Sequence, residues 1–175
     1  MLQAVSESRE TVSVAALAVV NAFGDVRDPG TGRLLAGTRI ENAPDSAVEV
    51  DSFAYELLDT ARAMRQGSVR RDFAGSRAGA PRGMSTVLVA VATEAALTCI
   101  EAKRVAVMAA AGMARTLSPA HTTFDGDIVF VLSLGSARAE VNAVGAAAAD
   151  AVAHAIVRGV TQAHSAGGLP GLLPS

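Results

Sequence analysis

The stretch Gly83-Met84-Ser85-Thr86-Val87-Leu88-Val89-Ala90-Val91-Ala92-Thr93-Glu94 does most to limit what this chain can fold into. Val87 to Ala92 has the length and the β-branched content of a fully buried strand. Gly67 to Gly83, just before it, is rich in Gly, Ser, Arg and Ala, includes Pro81 and carries no periodicity. It is expected to be a mobile arm. A buried strand alone gives no reason for Ser-Thr at its mouth. A hydroxyl at the first position of a rigid strand suits a nucleophile, because the scaffold fixes where its oxygen points. The plainer reading is a strand entry whose hydroxyls satisfy free backbone groups. A mobile arm directly before a buried strand makes sense if the chain is cut there.

Bulk properties exclude several classes. At 175 residues the chain suits one domain with a sizeable core. Half of it is hydrophobic but only 3% is aromatic, which favours small side chains on closely packed helices and sheets. The net charge of −2 leaves no electrostatic footprint for nucleic acid. Arg70 and Arg71, with Arg65, Arg77 and Arg82 nearby, read as part of a solvated linker. The lone Cys99 fits a reducing compartment and a role as a small apolar filler. No apolar run is expected to span a membrane and the start has no signal-like pattern, so the expected location is the cytoplasm. Gly30-Thr31-Gly32 is too short for a phosphate loop and sits in a turn. No cofactor is expected.

Along the chain, Thr11 to Val20 reads as a buried strand that ends at Asn21. Arg27 to Gly32 is a turn, and Leu34 to Thr38 returns as a short strand. Asn21 either aims its amide into a site or bonds its own turn. Residues 41–52 read as loop, and Ser52 caps an expected helix from Phe53 to Gln66. Thr98 to Glu101 matches a capping box, opening a helix over Cys99 to Leu117 with a stripe of Ile100, Val105, Met108, Ala109, Gly112 and Met113. Asp125-Gly126-Asp127 is either a tight turn or a carboxylate pair at the mouth of a strand over Ile128 to Leu134. Its spacing is not that of an EF-hand, and no metal is expected. His121 reads as a hydrogen-bonded loop residue. A long Ala-rich helix over Ala139 to Ala163 follows, with Val141, Val144, Ala148, Val152, Ile156 and Val160 at helical spacing and His154 and His164 as surface or packing residues.

Three groups of these residues, in order, resemble one family. They are Val19 to Val26, Ser85-Thr86 with Ala92 to Thr98, and Gly112 to Arg115 with Pro119 to Thr122 and Phe124 to Phe130. The chain is similar to the self-processing peptidases that include the L-aminopeptidase/D-Ala-esterase/amidase, the β-peptidyl aminopeptidases and the nylon-oligomer hydrolase. The likeness extends from about Ser13 to Gly168. It implies an α+β fold, an αββα sandwich of the N-terminal-nucleophile type, here incomplete because family precursors are considerably longer. One domain is expected, divided into 1–66 (strand, hairpin and helix), 67–85 (arm), 86–168 (nucleophile-bearing strands and helices) and 169–175 (tail).

The resemblance also implies chemistry. Counting back from Ala92-Thr93 places Thr86 at the family's nucleophile position, with cleavage between Ser85 and Thr86. Ser85 stays a second candidate, with the cut after Met84. The likeness implies Asn21 as donor to the oxyanion, and Asp125 and Asp127 as groups that orient the Thr86 amine and hydroxyl. Expected partners are a peptide or small-amide substrate, and further copies or a partner chain supplying the missing half. Nucleic acid and membrane are not expected partners. Two other readings stand beside the peptidase: a non-catalytic remnant acting as an assembly subunit, and an acyltransferase resembling the ornithine acetyltransferases.

Overall fold

The computed structural model describes residues 2–5, 11–40, 48–50, 53–67 and 85–173. In chain order the strands are β1 (Leu2–Val5), β2 (Thr11–Val19), β3 (Asp25–Arg27), β4 (Leu34–Ala36), β5 (Arg39–Ile40), β6 (Val48–Val50), β7 (Phe53–Leu57), β8 (Leu88–Ala95), β9 (Leu117–Ser118) and β10 (Ile128–Ala137). The helices are α1 (Thr60–Arg65), α2 (Cys99–Thr116) and α3 (Val141–Thr161). The principal sheet has the order β1-β2-β8-β10. β8 runs antiparallel to β2 and parallel to β10, and α2 lies between those two parallel strands in sequence.

Side chains alternate along a strand, so the two faces of this sheet can be read separately. Val12 and Val14 of β2 and Val89, Val91 and Ala95 of β8 are buried, and they share one core with α2 and α3. From α2 that core takes Val105, Ala109 and Met113; from α3 it takes Val144, Ala148, Val152 and Ile156. Small residues bring the layers together. A Cβ on Gly112 of α2 would strike the carbonyl oxygen of Ala149 in α3, so the two helices cross at a separation that glycine sets. α2 begins at the expected capping box: the Thr98 hydroxyl accepts from the Glu101 N–H, and the Glu101 carboxylate accepts from the Thr98 N–H.

The other face of the sheet is bare among the described residues. The registers align Val19, Leu88 and Ile128 in one row across the strands, Leu17, Ala90 and Phe130 in the next, and Ala15, Ala92 and Leu132 in a third. Leu17 is 68% exposed, Phe130 54% and Leu134 71%. The expectation of a strand buried on both faces is therefore corrected: β8 is buried on its helix face alone. The principal sheet with α2 and α3 is an α+β arrangement amounting to one half of a sandwich.

Other expectations change too. Phe53 to Leu57 is a strand paired with β5 and β6, not the start of a helix. Helix α1 begins only at Thr60, where Asp59 rather than Ser52 is the cap and accepts from the Arg62 N–H at 2.9 Å. Residues 48–50, read as loop, form β6, and β1 was not anticipated. The arm up to residue 84, apart from Gly67, lies outside the described residues. Ile100 leaves its expected stripe and is 84% exposed. Cys99 is exposed at the first turn of α2 rather than filling the core. α3 is long and apolar enough to cross a membrane by length and composition, although no such run was expected. Its Val144, Ala148, Val152 and Ile156 stripe is nonetheless packed in the core.

A second small sheet, β4-β3-β9, leads away from Asn21. Its first residue, Asp25, is fully buried and ties β3 to α1. The Asp25 carboxylate accepts from the Thr60 N–H at 2.7 Å, the Thr60 hydroxyl at 2.9 Å and the Thr38 N–H at 3.3 Å. Burial pushes this carboxyl above its ordinary value of 3.8, and the donors from Thr60 and Thr38 only partly offset that. The folded state thus binds the proton more tightly than the unfolded chain. The stability this group contributes is complete below the ordinary value and is lost as pH rises through the raised one. Chemical unfolding from acid to neutral pH tests this. The wild type is expected to lose stability relative to Asp25→Asn as pH rises through that window, and parallel curves for the two proteins would contradict it.

Candidate active site

Three segments converge where β8 begins: the end of β2 at Asn21, the residues Ser85 to Val87, and the turn from His121 to Asp127. Ser85 forms an isolated parallel bridge with Asp125. The backbone around the Ser85–Thr86 peptide is held on both sides. The Gly126 N–H donates to the Ser85 carbonyl at 3.0 Å, and the Thr86 N–H donates to the Asn21 carbonyl at 2.8 Å. These bonds extend the ladder of β8 beyond its first assigned residue.

Strand alternation sets where Thr86 points. Val87 is fully buried with the helix-facing residues, so Thr86 shares the side of Leu88 and Ala90, the bare face. Thr86 is half-buried there. Its Oγ1 lies against Gly126: a Cβ at that glycine would sit 3.0 Å from it. Gly126 therefore leaves room for the hydroxyl and also supplies the N–H that meets the Ser85 carbonyl.

The two carboxylates flanking Gly126 are engaged with backbone groups. One oxygen of Asp127 accepts from the Val87 N–H at 2.9 Å, and the other from the His121 N–H at 3.5 Å. Asp127 thus fixes the residue directly after Thr86. Asp125 accepts from the Thr122 N–H at 2.8 Å and the Thr122 hydroxyl at 2.7 Å. The Thr122 hydroxyl in turn accepts from the Phe124 N–H at 3.1 Å. His121 closes this turn with a φ of +53°, in the left-handed region that few residues other than glycine adopt. The rings of Phe23 and Phe124 pack with centroids 5.0 Å apart, joining the turn after Asn21 to the Asp125 turn.

Asn21, Thr86, Asp125 and Asp127 are therefore neighbours at one end of the principal sheet. Asn21 meets Thr86 through its main-chain carbonyl, and the carboxylates bond the backbone that frames Thr86. Gly126 was not singled out from the sequence; its position between two aspartates was the available signal. Asn21 is exposed and opens onto a groove of about 340 Å³ between the Asn21–Gly24 turn, Ala36–Thr38 and Val160. Among the described residues, no group of three or more His, Cys, Asp and Glu side chains is arranged to hold a metal ion.

Comparison with known proteins places this geometry in context. The chain is 35% identical to uncharacterized aminopeptidases of Mycobacterium bovis and Mycobacterium tuberculosis over 179 aligned residues, covering 91% of this chain and 46% of theirs. A similar aminopeptidase of Mycobacterium leprae is 33% identical, with 90% and 43% covered. The chain thus spans a little under half the length of these relatives. In fold it resembles the L-aminopeptidase D-Ala-esterase/amidase of Ochrobactrum anthropi, described as a prototype of the serine aminopeptidases and a variant of the Ntn hydrolase fold. That likeness has a TM-score of 0.56 at 19% identity and covers 96% of this chain and 40% of that one. The partial coverage accords with a sandwich of which one sheet and its helices are described here. The profile of peptidase family S58 matches residues 3–172, and with the mycobacterial relatives it shows that this chain belongs to that family.

Proposed function

We propose that this chain carries the nucleophile of a self-processing aminopeptidase or amidase, with Thr86 as that nucleophile and the Ser85–Thr86 peptide as the point of cleavage. One observation carries the reading. The Ser85 carbonyl rests on the Gly126 N–H while the Thr86 hydroxyl lies against the same glycine. A donor already aimed at a carbonyl oxygen stabilises the charge that develops there when the carbon is attacked.

In the uncut chain, the Thr86 Oγ1 attacks the Ser85 carbonyl carbon. The new C–O bond forms an ester, the C–N bond breaks, and the Thr86 nitrogen leaves as a free α-amine. Water then hydrolyses the ester, leaving a carboxylate on Ser85 and restoring the hydroxyl. The α-amine, with a pKa of roughly 7.7–8.0 in an unperturbed chain, is suited to take the hydroxyl proton in later turnovers near neutral pH. The Asn21 carbonyl, already 2.8 Å from that nitrogen, would hold the amine in place. A substrate carbonyl entering where the Ser85 carbonyl had been would meet the Gly126 N–H. The hydroxyl attacks it, the substrate amine departs, and the acyl-enzyme is cleared by water. The Asn21 amide is the second proposed oxyanion donor, and Asp125 and Asp127 keep the framing backbone in register.

Strand register favours Thr86 over Ser85. A shift of one residue turns a side chain to the opposite face, and Thr86 is the one on the Leu88 side. The substrate is a peptide or small amide, following the relatives named as aminopeptidases. The exposed, lone Cys99 suits a reducing, cytoplasmic setting. A non-catalytic assembly subunit is the second reading, favoured by the bare sheet face.

Denaturing mass measurement separates the two readings. The proposal expects two pieces divided between Ser85 and Thr86, and a single intact chain for Thr86→Ala. An intact wild-type chain in an assembly that hydrolyses no amide would favour the second reading. Gly126→Ala keeps the N–H but sets a methyl against the Thr86 hydroxyl, and displacing that oxygen should slow cleavage by up to about 10²-fold, as misplacing a reacting group does. Unchanged cleavage in that variant would show that the close fit of the Thr86 hydroxyl on Gly126 plays no part in the mechanism.

A further inference from the structure

The uncut chain carries its own acyl residue. Ser85 occupies the place that the acyl residue of a substrate amide takes in the proposed reaction, so its backbone marks that seat. Its carbonyl is on the Gly126 N–H at 3.0 Å. In a parallel pair a residue bonds the two neighbours of its partner, one through each of its backbone groups. Ser85 bridges Asp125 in parallel and its carbonyl takes Gly126, so its nitrogen faces the Phe124 carbonyl. Paired residues lie about 4.8 Å apart with their side chains on the same face. The half-buried Asp125 carboxylate therefore stands beside Ser85, within a side chain's reach of its nitrogen. That carboxylate is only half engaged. The Thr122 N–H and hydroxyl both end on Oδ2, which fixes the group's orientation. Oδ1 accepts no bond among the described residues, and their ion pairs do not include Asp125. Asp127 differs, with Oδ1 on the Val87 N–H and Oδ2 toward the His121 N–H. Of the two carboxylates, Asp125 is the one with an oxygen to offer.

We propose that Asp125 Oδ1, with the Phe124 carbonyl, receives the α-ammonium of the substrate's acyl residue, so that the site selects amides whose acyl residue carries a free amine. This rests on the proposed reaction at Thr86, and it gives Asp125 a contact with substrate beyond its framing of the turn. A free α-amine is protonated below a pKa of roughly 7.7–8.0. It then carries a positive charge and three N–H donors. One donor meets the Phe124 carbonyl, as the Ser85 nitrogen is placed to do, and a second meets Oδ1. A charge-assisted bond of this kind is about twice as strong as a neutral one. The Ser85 nitrogen of the uncut chain is an amide, with one N–H and no charge. It needs no second contact, because the covalent chain already holds it in position. A substrate whose amine is missing or acylated brings neither the charge nor the second donor, and has no covalent link to replace them.

The test compares two anilides on the assembled, self-cleaved protein: alanine p-nitroanilide, whose acyl residue is close in size to Ser85, and propionyl p-nitroanilide, which lacks only the amine. The wild type is expected to favour the first in kcat/KM by roughly 10- to 100-fold, the span of hydrogen bonds to charged groups. Asp125→Asn keeps the shape and an oxygen for Thr122 but turns an NH₂ donor toward the ammonium. The preference should fall by about tenfold or more, chiefly through a higher KM for the alanine anilide. Taking the ratio within each variant removes any disturbance of the turn, which slows both substrates alike. Asp127→Asn should slow both and keep the preference. Equal turnover of the two anilides by the wild type, a preference that survives Asp125→Asn, or one lost equally in Asp127→Asn would overturn the inference and leave the reaction at Thr86 standing. A chain that stays uncut, or a cut one that hydrolyses neither anilide, would overturn the proposed function and this inference with it.

Discussion

The register of β8 between β2 and β10 is the constraint on which the rest of the structure depends. A strand has two faces and a period of two residues, so fixing one pair fixes every side chain along it. Pairing Ala18 with Val89 sends Val89, Val91 and Thr93 toward the helices, and it sends Leu88, Ala90 and Ala92 to the bare face. The same register, carried back past Leu88, sets the Thr86 N–H on Asn21 and the Ser85 carbonyl on Gly126. The residues proposed for chemistry are thus held by the ladder that builds the sheet. Their precision comes from packing beneath them, where Val87 and Val89 meet the core of α2 and α3.

That packing is close because its side chains are small. Gly112 lets α2 approach the backbone of α3, and Gly145 on α3 leaves space for Met108. A core of Val and Ala gains little from any one contact and depends on many being made together. Around the site the framing is polar instead. Asp127 holds Val87, Asp125 holds Thr122, and Asp25 holds Thr60 and Thr38. Each carboxylate bonds backbone N–H groups that loop geometry would otherwise leave without partners. The carboxylate pair at the mouth of β10 therefore has a structural explanation alongside its proposed catalytic one.

Much of this was legible in the sequence where a local pattern had one physical solution. The Thr98–Glu101 capping box, the helical stripe from Val144 to Ile156 and the β-branched run of β8 all read directly. Phe53 to Leu57 did not, because its apolar spacing fits a helix face as well as a strand, and pairing with β5 and β6 decided it. The bare face was hidden for a related reason: an apolar run with no polar alternation looks the same whether its second face is covered within the chain or by something else. At the site, residue types pointed to Thr86, Asn21 and the aspartates. The contacts made by the Asn21 carbonyl and the Gly126 N–H were not legible, because every residue carries those groups and only the fold decides which of them meet.

The central claim is that an acyl group passes through the oxygen of Thr86. Its most direct test is to mix the assembled protein with a slowly hydrolysed activated ester of an amino acid, quench in acid, and map the modified peptide by mass. The account predicts one acyl group, on the peptide that begins with Thr86, bound through its side-chain oxygen and absent from Thr86→Ala. An acyl group on Ser85, on Cys99 or on no residue of this chain while the ester is turned over would contradict it.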